Sequence, residues 1–163
     1  MVEWLEVPQK VLDLVQEVLE EHHRDLRDFR IAVVFRSEAM AANGKFVLGG
    51  TTIIPAKYKT LIEYDAMIWL AQDWFVARFN DFQRRALVDQ RLCALDTDDD
   101  GEKLIKRAYD VQEYHEIFER YGFWNAGLVE TQQVLQPYLI EPEPEGAIAT
   151  LEPEEIEKII EVV

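Results

Sequence analysis

The chain has 163 residues, 48% hydrophobic and 11% aromatic, enough for one domain with a substantial core and too apolar for a wholly disordered chain. Its formal net charge of −15 opposes nucleic-acid backbones, so direct DNA or RNA binding is not expected, while a basic protein is a natural electrostatic partner. The single cysteine, Cys93, excludes an internal disulfide and fits a reducing compartment.

Met1 to Glu6 is acidic and lacks a basic n-region, so no signal peptide is expected, and no apolar run approaches membrane-spanning length. Pro8 opens a helix through about His22, with Val11, Leu14, Val15, Val18, Leu19 and His22 on one side. His22 and His23 point about 100° apart on a helix and do not easily grip one ion together, so they read as end residues favoured by the negative helix terminus. Phe29 to Phe35 is the clearest strand, and Arg36 to Gly44 reads as a loop. Lys45 to Ile54 reads as a second strand broken at Gly49-Gly50, a pair that marks a bulge or a close backbone approach. Tyr64 to Leu70 reads as a third strand, and Gln72 to Phe75 as a turn.

Phe82 to Leu95 reads as a helix, with Phe82, Leu87, Val88, Leu92 and Leu95 recurring at helical spacing. The following Asp96 to Gly101 reads as a loop, Leu104-Ile105 as a short strand, and Tyr109 to Arg120 as a second amphipathic helix stopped by Gly122. Trp124 to Leu135 is ambiguous. The expected organisation is a domain over 1–136, a Pro/Glu linker over 137–151, and an amphipathic helical tail over 152–163. From Pro137 onward there are eight Glu and one Lys. Ile156, Ile159, Ile160 and Val163 give the tail an apolar face that suits docking or self-association into homo-oligomers.

Asp96, Asp98 and Asp100 with Gly101 form the front half of a calcium loop, but the closing carboxylate of a twelve-residue loop falls on Arg107. A solvated acidic turn is the plainer reading. Cys93 reads as a small core residue, and Trp69, Trp74 and Trp124 as core aromatics. No phosphate-binding loop and no dinucleotide glycine motif occurs.

Several stretches resemble, in order, the phage metallopeptidase family, a zincin-like group akin to SprT-type proteins. They are Gly44-Lys45, Leu48-Gly49, Tyr64-Asp65, Arg84-Arg85-Ala86-Leu87, Leu92-Cys93, Asp99-Asp100-Gly101, Asp110-Val111-Gln112-Glu113-Tyr114 and Arg120-Tyr121-Gly122-Phe123-Trp124. The resemblance spans roughly Val7 to Leu128. It implies an α+β zincin-like fold, a small mixed or antiparallel sheet packed on two to three helices, with the acidic tail appended. It also implies a helix bearing His-Glu-x-x-His, in which two imidazoles hold zinc and the Glu activates water. Here those positions read Gln90-Arg91-Leu92-Cys93-Ala94, and Tyr109 and Tyr121 replace two further histidines.

The expectation is therefore a pseudoenzyme. It would have no cofactor and no zinc, a degenerate former site at Gln90, Arg91, Ala94 and Tyr109, and a protein partner held or inhibited in the cytoplasm of a phage-infected bacterium. Two alternatives stand beside it. One is a metal-dependent hydrolase rebuilt from Glu113, His115 and the Asp96–Asp100 loop; the other is a structural protein that self-associates through its tail.

Overall fold

The computed structural model describes residues 1–112, 114–124 and 126–140. The chain is mixed α+β and divides into two units, Met1–Arg107 and Ala108–Val163.

The first unit is built on a four-stranded sheet. Its strands are β1 (Trp4–Glu6), β2 (Ile31–Arg36), β5 (Gly49–Ile53) and β6 (Ala66–Ala71), in the order β1-β2-β6-β5. β2 and β6 run parallel through the middle, Ile31 opposite Ala66 and Arg36 opposite Ala71. The edge strands β1 and β5 are both antiparallel to their neighbours. Alternation sets the faces. Ala66, Ile68 and Leu70 of β6 are fully buried, while Met67 and Trp69 between them are only partly so.

Two helices cover the buried face. α1 (Gln9–His22) follows Pro8, which stands at the cap with extended backbone and has no N–H to leave unpaired. Its inward stripe is Val11, Val15, Val18 and Leu19. α3 (Asp81–Leu92) opens with a reciprocal cap: Asn80 accepts from the Gln83 backbone N–H at 2.9 Å, and the Gln83 side chain accepts from the Asn80 N–H at 3.0 Å. Leu87, Val88 and Leu92 pack inward beside Phe35, Phe75 and Leu95.

The remaining pieces correct the sequence reading in places. The expected loop 36–44 contains β3 (Met40–Ala42), which pairs with β4 (Lys45–Val47). The long second strand is thus two strands parted at Leu48. Gly49 and Gly50 form no bulge: they sit in unbroken register opposite Leu70 and Trp69. Close approach explains them. A Cβ on Gly49 would meet the Trp69 carbonyl oxygen at 2.8 Å, and one on Gly50 would meet Trp69 Nε1 at 2.2 Å.

The expected turn at 72–75 is a short helix, α2 (Gln72–Ala77), which buries Phe75. The long helix stops at Leu92, and Leu95 opens β7 (Leu95–Thr97), paired with β8 (Leu104–Lys106), so part of the expected acidic loop is strand.

In the second unit, α4 (His115–Tyr121) starts later than the expected Tyr109, and Gly122 ends it at φ +60°, where glycine is favoured. α5 (Ala126–Ile140) resolves the ambiguous stretch as helix and continues through Pro137. The expected tail 152–163 and most of the linker lie outside the described residues. Trp124 is 59% exposed and Trp69 and Trp74 are half-buried, so none of the three is a core residue.

Candidate functional site

The last turns of α3 carry the positions that mattered in the sequence. A helix advances about 100° per residue, so neighbouring positions face different partners. Gln90 is exposed, and Ala94, just past the helix, is half-buried. Arg91 turns toward the sheet edge. Its Nη1 donates to the Gly49 carbonyl of β5 at 2.9 Å. Thr51 Oγ1, also on β5, donates to the Arg91 carbonyl at 2.6 Å. The end of α3 is thereby stitched to the edge strand. Arg91 Nε is buried and makes no hydrogen bond among the described residues.

The chemistry of this surface is plain. At the positions where the resemblance would put two imidazoles and a carboxylate, this chain has an amide, a guanidinium and a methyl group. None is a good ligand for zinc, and the fixed positive charge of Arg91 opposes a cation. These residues do not fit the metal that the resemblance implies. Tyr109 belongs to the second unit, where it lies outside any helix and is 68% exposed.

The acidic turn is occupied by its own backbone. Asp98 Oδ1 accepts from the N–H groups of Glu102 at 2.8 Å and Lys103 at 3.0 Å. The Lys103 bond is the main reason that the Asp98 carboxyl lies below its ordinary range, with the Glu102 bond and the Lys103 charge adding to it against some desolvation. Asp96 Oδ1 accepts from the Thr97 N–H at 2.8 Å. Asp96, Asp98 and Asp100 are not among the ligand groups that converge within the described residues. Glu113 lies outside the described residues, as does the side chain of His115.

A constellation that the sequence reading did not assemble lies on another face of α3. His23, which follows α1, is 9% exposed, and its Nε2 lies 2.6 Å from Asp89 Oδ1. Cys93 Sγ lies 3.7 Å from the same oxygen. Cys93 is exposed at the C-cap of α3, which corrects its expected place in the core. The available signal was the four-residue spacing of Asp89 and Cys93, which stacks two side chains on one helix face. Nothing local linked them to His23, 66 residues from Asp89.

A groove of about 520 Å³ lies elsewhere in this unit, between α1 and the first turn of α3, lined by Val11, Leu14, Phe35, Phe75 and Arg84. Among the described residues, no helix is long and apolar enough to cross a membrane. No curated protein and no solved structure matches the chain. The family described as "Putative phage metallopeptidase" matches residues 2–137. That span takes in the first unit from Val2 onward, including α3, and the chain belongs to this family.

Proposed function

We propose that this family member is a zincin-like pseudoenzyme, phage-encoded and active in the cytoplasm of the bacterial host, that binds a protein instead of cutting one. The observation that carries the reading is the Arg91–Gly49 hydrogen bond. At the position of the water-activating carboxylate there is a cation, and it is tied to the edge strand. A peptidase needs that location open, ligated and basic. With Gln90 and Ala94 on either side, the surface offers polar and apolar contact but no base and no Lewis acid. The net charge of −15 supports a partner with a basic face.

The test has two arms on the untagged full chain. Incubation with zinc and an unfolded protein such as casein is expected to give no cleavage products. A partner captured from infected host cells is expected to bind less tightly when Gln90 is changed to Trp, because the added bulk blocks the surface. Zinc-dependent cleavage by the wild type that disappears in Arg91→Ala would overturn the reading, and so would capture that Gln90→Trp leaves unchanged.

A further inference from the structure

We infer that His23, Asp89 and Cys93 form a binding site for a thiophilic divalent ion of the zinc class, distinct from the Gln90–Ala94 surface. One ligand atom from each residue lies within 4.8 Å of the other two. In a tetrahedral zinc site the bonds are about 2.0–2.3 Å, which places ligand atoms about 3.2–3.8 Å apart. The Sγ–Oδ1 separation of 3.7 Å already meets that spacing. The Nε2–Oδ1 separation of 2.6 Å must open by only about 0.6–1.2 Å, within reach of small side-chain rotations. The donor set, imidazole with carboxylate and thiolate, consists of ligand types that zinc accepts.

The backbone supports the arrangement. The His23 N–H donates to the Leu19 carbonyl at 3.0 Å, and its carbonyl accepts from the Leu26 N–H at 3.0 Å, so the residue is held from both sides. The Cys93 N–H donates to the Asp89 carbonyl at 2.8 Å, which fixes the two α3 ligands one turn apart. Arg85, one turn before Asp89, is committed to Glu17 at 3.5 Å and to Glu21, so its charge is largely offset. Asp89 is partly exposed and Cys93 is exposed, which leaves an entry path and room for water as the fourth ligand.

Binding forms three bonds, to Nε2, to a carboxylate oxygen of Asp89 and to Sγ. The ligated imidazole is neutral, with Nε2 free of its proton and the remaining ring proton on Nδ1, and the thiol proton leaves to solvent. The ion then clamps the end of α1 to the end of α3. The site does not rest on the proposed function, since α3 turns Asp89 and Cys93 toward α1 and Arg91 toward β5.

The experiment is cobalt(II) titration of the untagged, reduced full chain, read by absorption, with zinc competition and thermal unfolding alongside. One cobalt per chain is expected, with a thiolate-to-cobalt charge-transfer band that zinc bleaches and a rise in Tm. Cys93→Ser should abolish the band. His23→Gln and Asp89→Asn should each weaken binding by about 100-fold or more, at least the loss seen when mere supporting residues of a metal site are removed. Gln90→Ala should leave the cobalt band and its stoichiometry as in the wild type. Cys93 is exposed, so its variant reports on the site even if His23→Gln fails to fold. Absence of the band in the wild type, its persistence in Cys93→Ser, or its loss in Gln90→Ala would each overturn the assignment.

Discussion

Arg91→Glu introduces the carboxylate that the family resemblance would place at this position, and the structure says what it should do to the fold. The change removes the 2.9 Å bond from Nη1 to the Gly49 carbonyl, a hydrogen bond from a charged donor worth about 1.5–3 kcal/mol. It also brings a carboxylate toward a carbonyl oxygen, two acceptors with no proton between them. Loss of the orphaned Nε returns part of this. We expect a net destabilisation of about 2–3 kcal/mol, or a fall in Tm of roughly 4–12 °C for a chain of this size. Arg91→Met is the control. It keeps the packing stem and removes both the bond and the unsatisfied donor, so it should lie within about 1 kcal/mol of wild type. The assay is urea unfolding followed by tryptophan fluorescence, with Trp69 beside Gly50 as a local reporter. An Arg91→Glu protein as stable as wild type would refute the claim that the guanidinium fastens α3 to the sheet edge, whereas an Arg91→Met protein damaged equally would assign the whole loss to the missing bond and none of it to the introduced carboxylate.

Other substitutions test the frame around this contact. Gly49→Ala should cost about 1–3 kcal/mol by thermal unfolding, because its Cβ meets the Trp69 backbone at 2.8 Å and a strand must shift. Asn80→Ala should cost about 1 kcal/mol in the same measurement by removing one half of the α3 cap. For Asp65, burial alone would raise the carboxyl pKa, but the Lys59 hydrogen bond, the Arg30 backbone N–H and both positive charges outweigh it and hold the pKa below 3.8. Its contribution is therefore present above the unfolded value of about 3.9 and fades as pH falls through the lower folded value. Wild type should exceed Asp65→Asn by about 1 kcal/mol at pH 7, and the two unfolding curves should converge in strong acid.

Local patterns made much of the first unit legible. The valine stripe of α1 and the run from Phe29 to Phe35 pointed to elements now seen at Gln9–His22 and Ile31–Arg36. The Phe82–Leu95 periodicity located α3 but overran it, because Leu95 is apolar for a different reason: it opens β7 and is buried there. The break near Gly49-Gly50 was misplaced since a glycine pair signals tight space without saying whether a bulge or a neighbouring tryptophan takes it up. β1 and β3, of three residues each, carry too few side chains for alternation to register.

Of the candidate site, the Gln90-Arg91-Leu92-Cys93-Ala94 stretch at the end of a helix was legible in the sequence, but the direction of Arg91 was not. Its bond to Gly49 depends on how β5 lies along α3, a tertiary fact. His23 was read from its neighbour His22 and from the helix end, whereas its partners come from α3. Adjacent residues on a helix seldom share a site; residues one turn apart on packed helices often do.

The most direct measurement is an anomalous-scattering map collected at the zinc edge from crystals grown with excess zinc. We expect no peak within bonding distance of Gln90, Arg91 or Ala94, with Arg91 still bound to the Gly49 carbonyl, and any tightly held ion to lie between His23, Asp89 and Cys93. A strong peak seated at Gln90 and Ala94, with the Arg91 guanidinium swung away, would contradict the loss of the peptidase centre on which the proposed function stands.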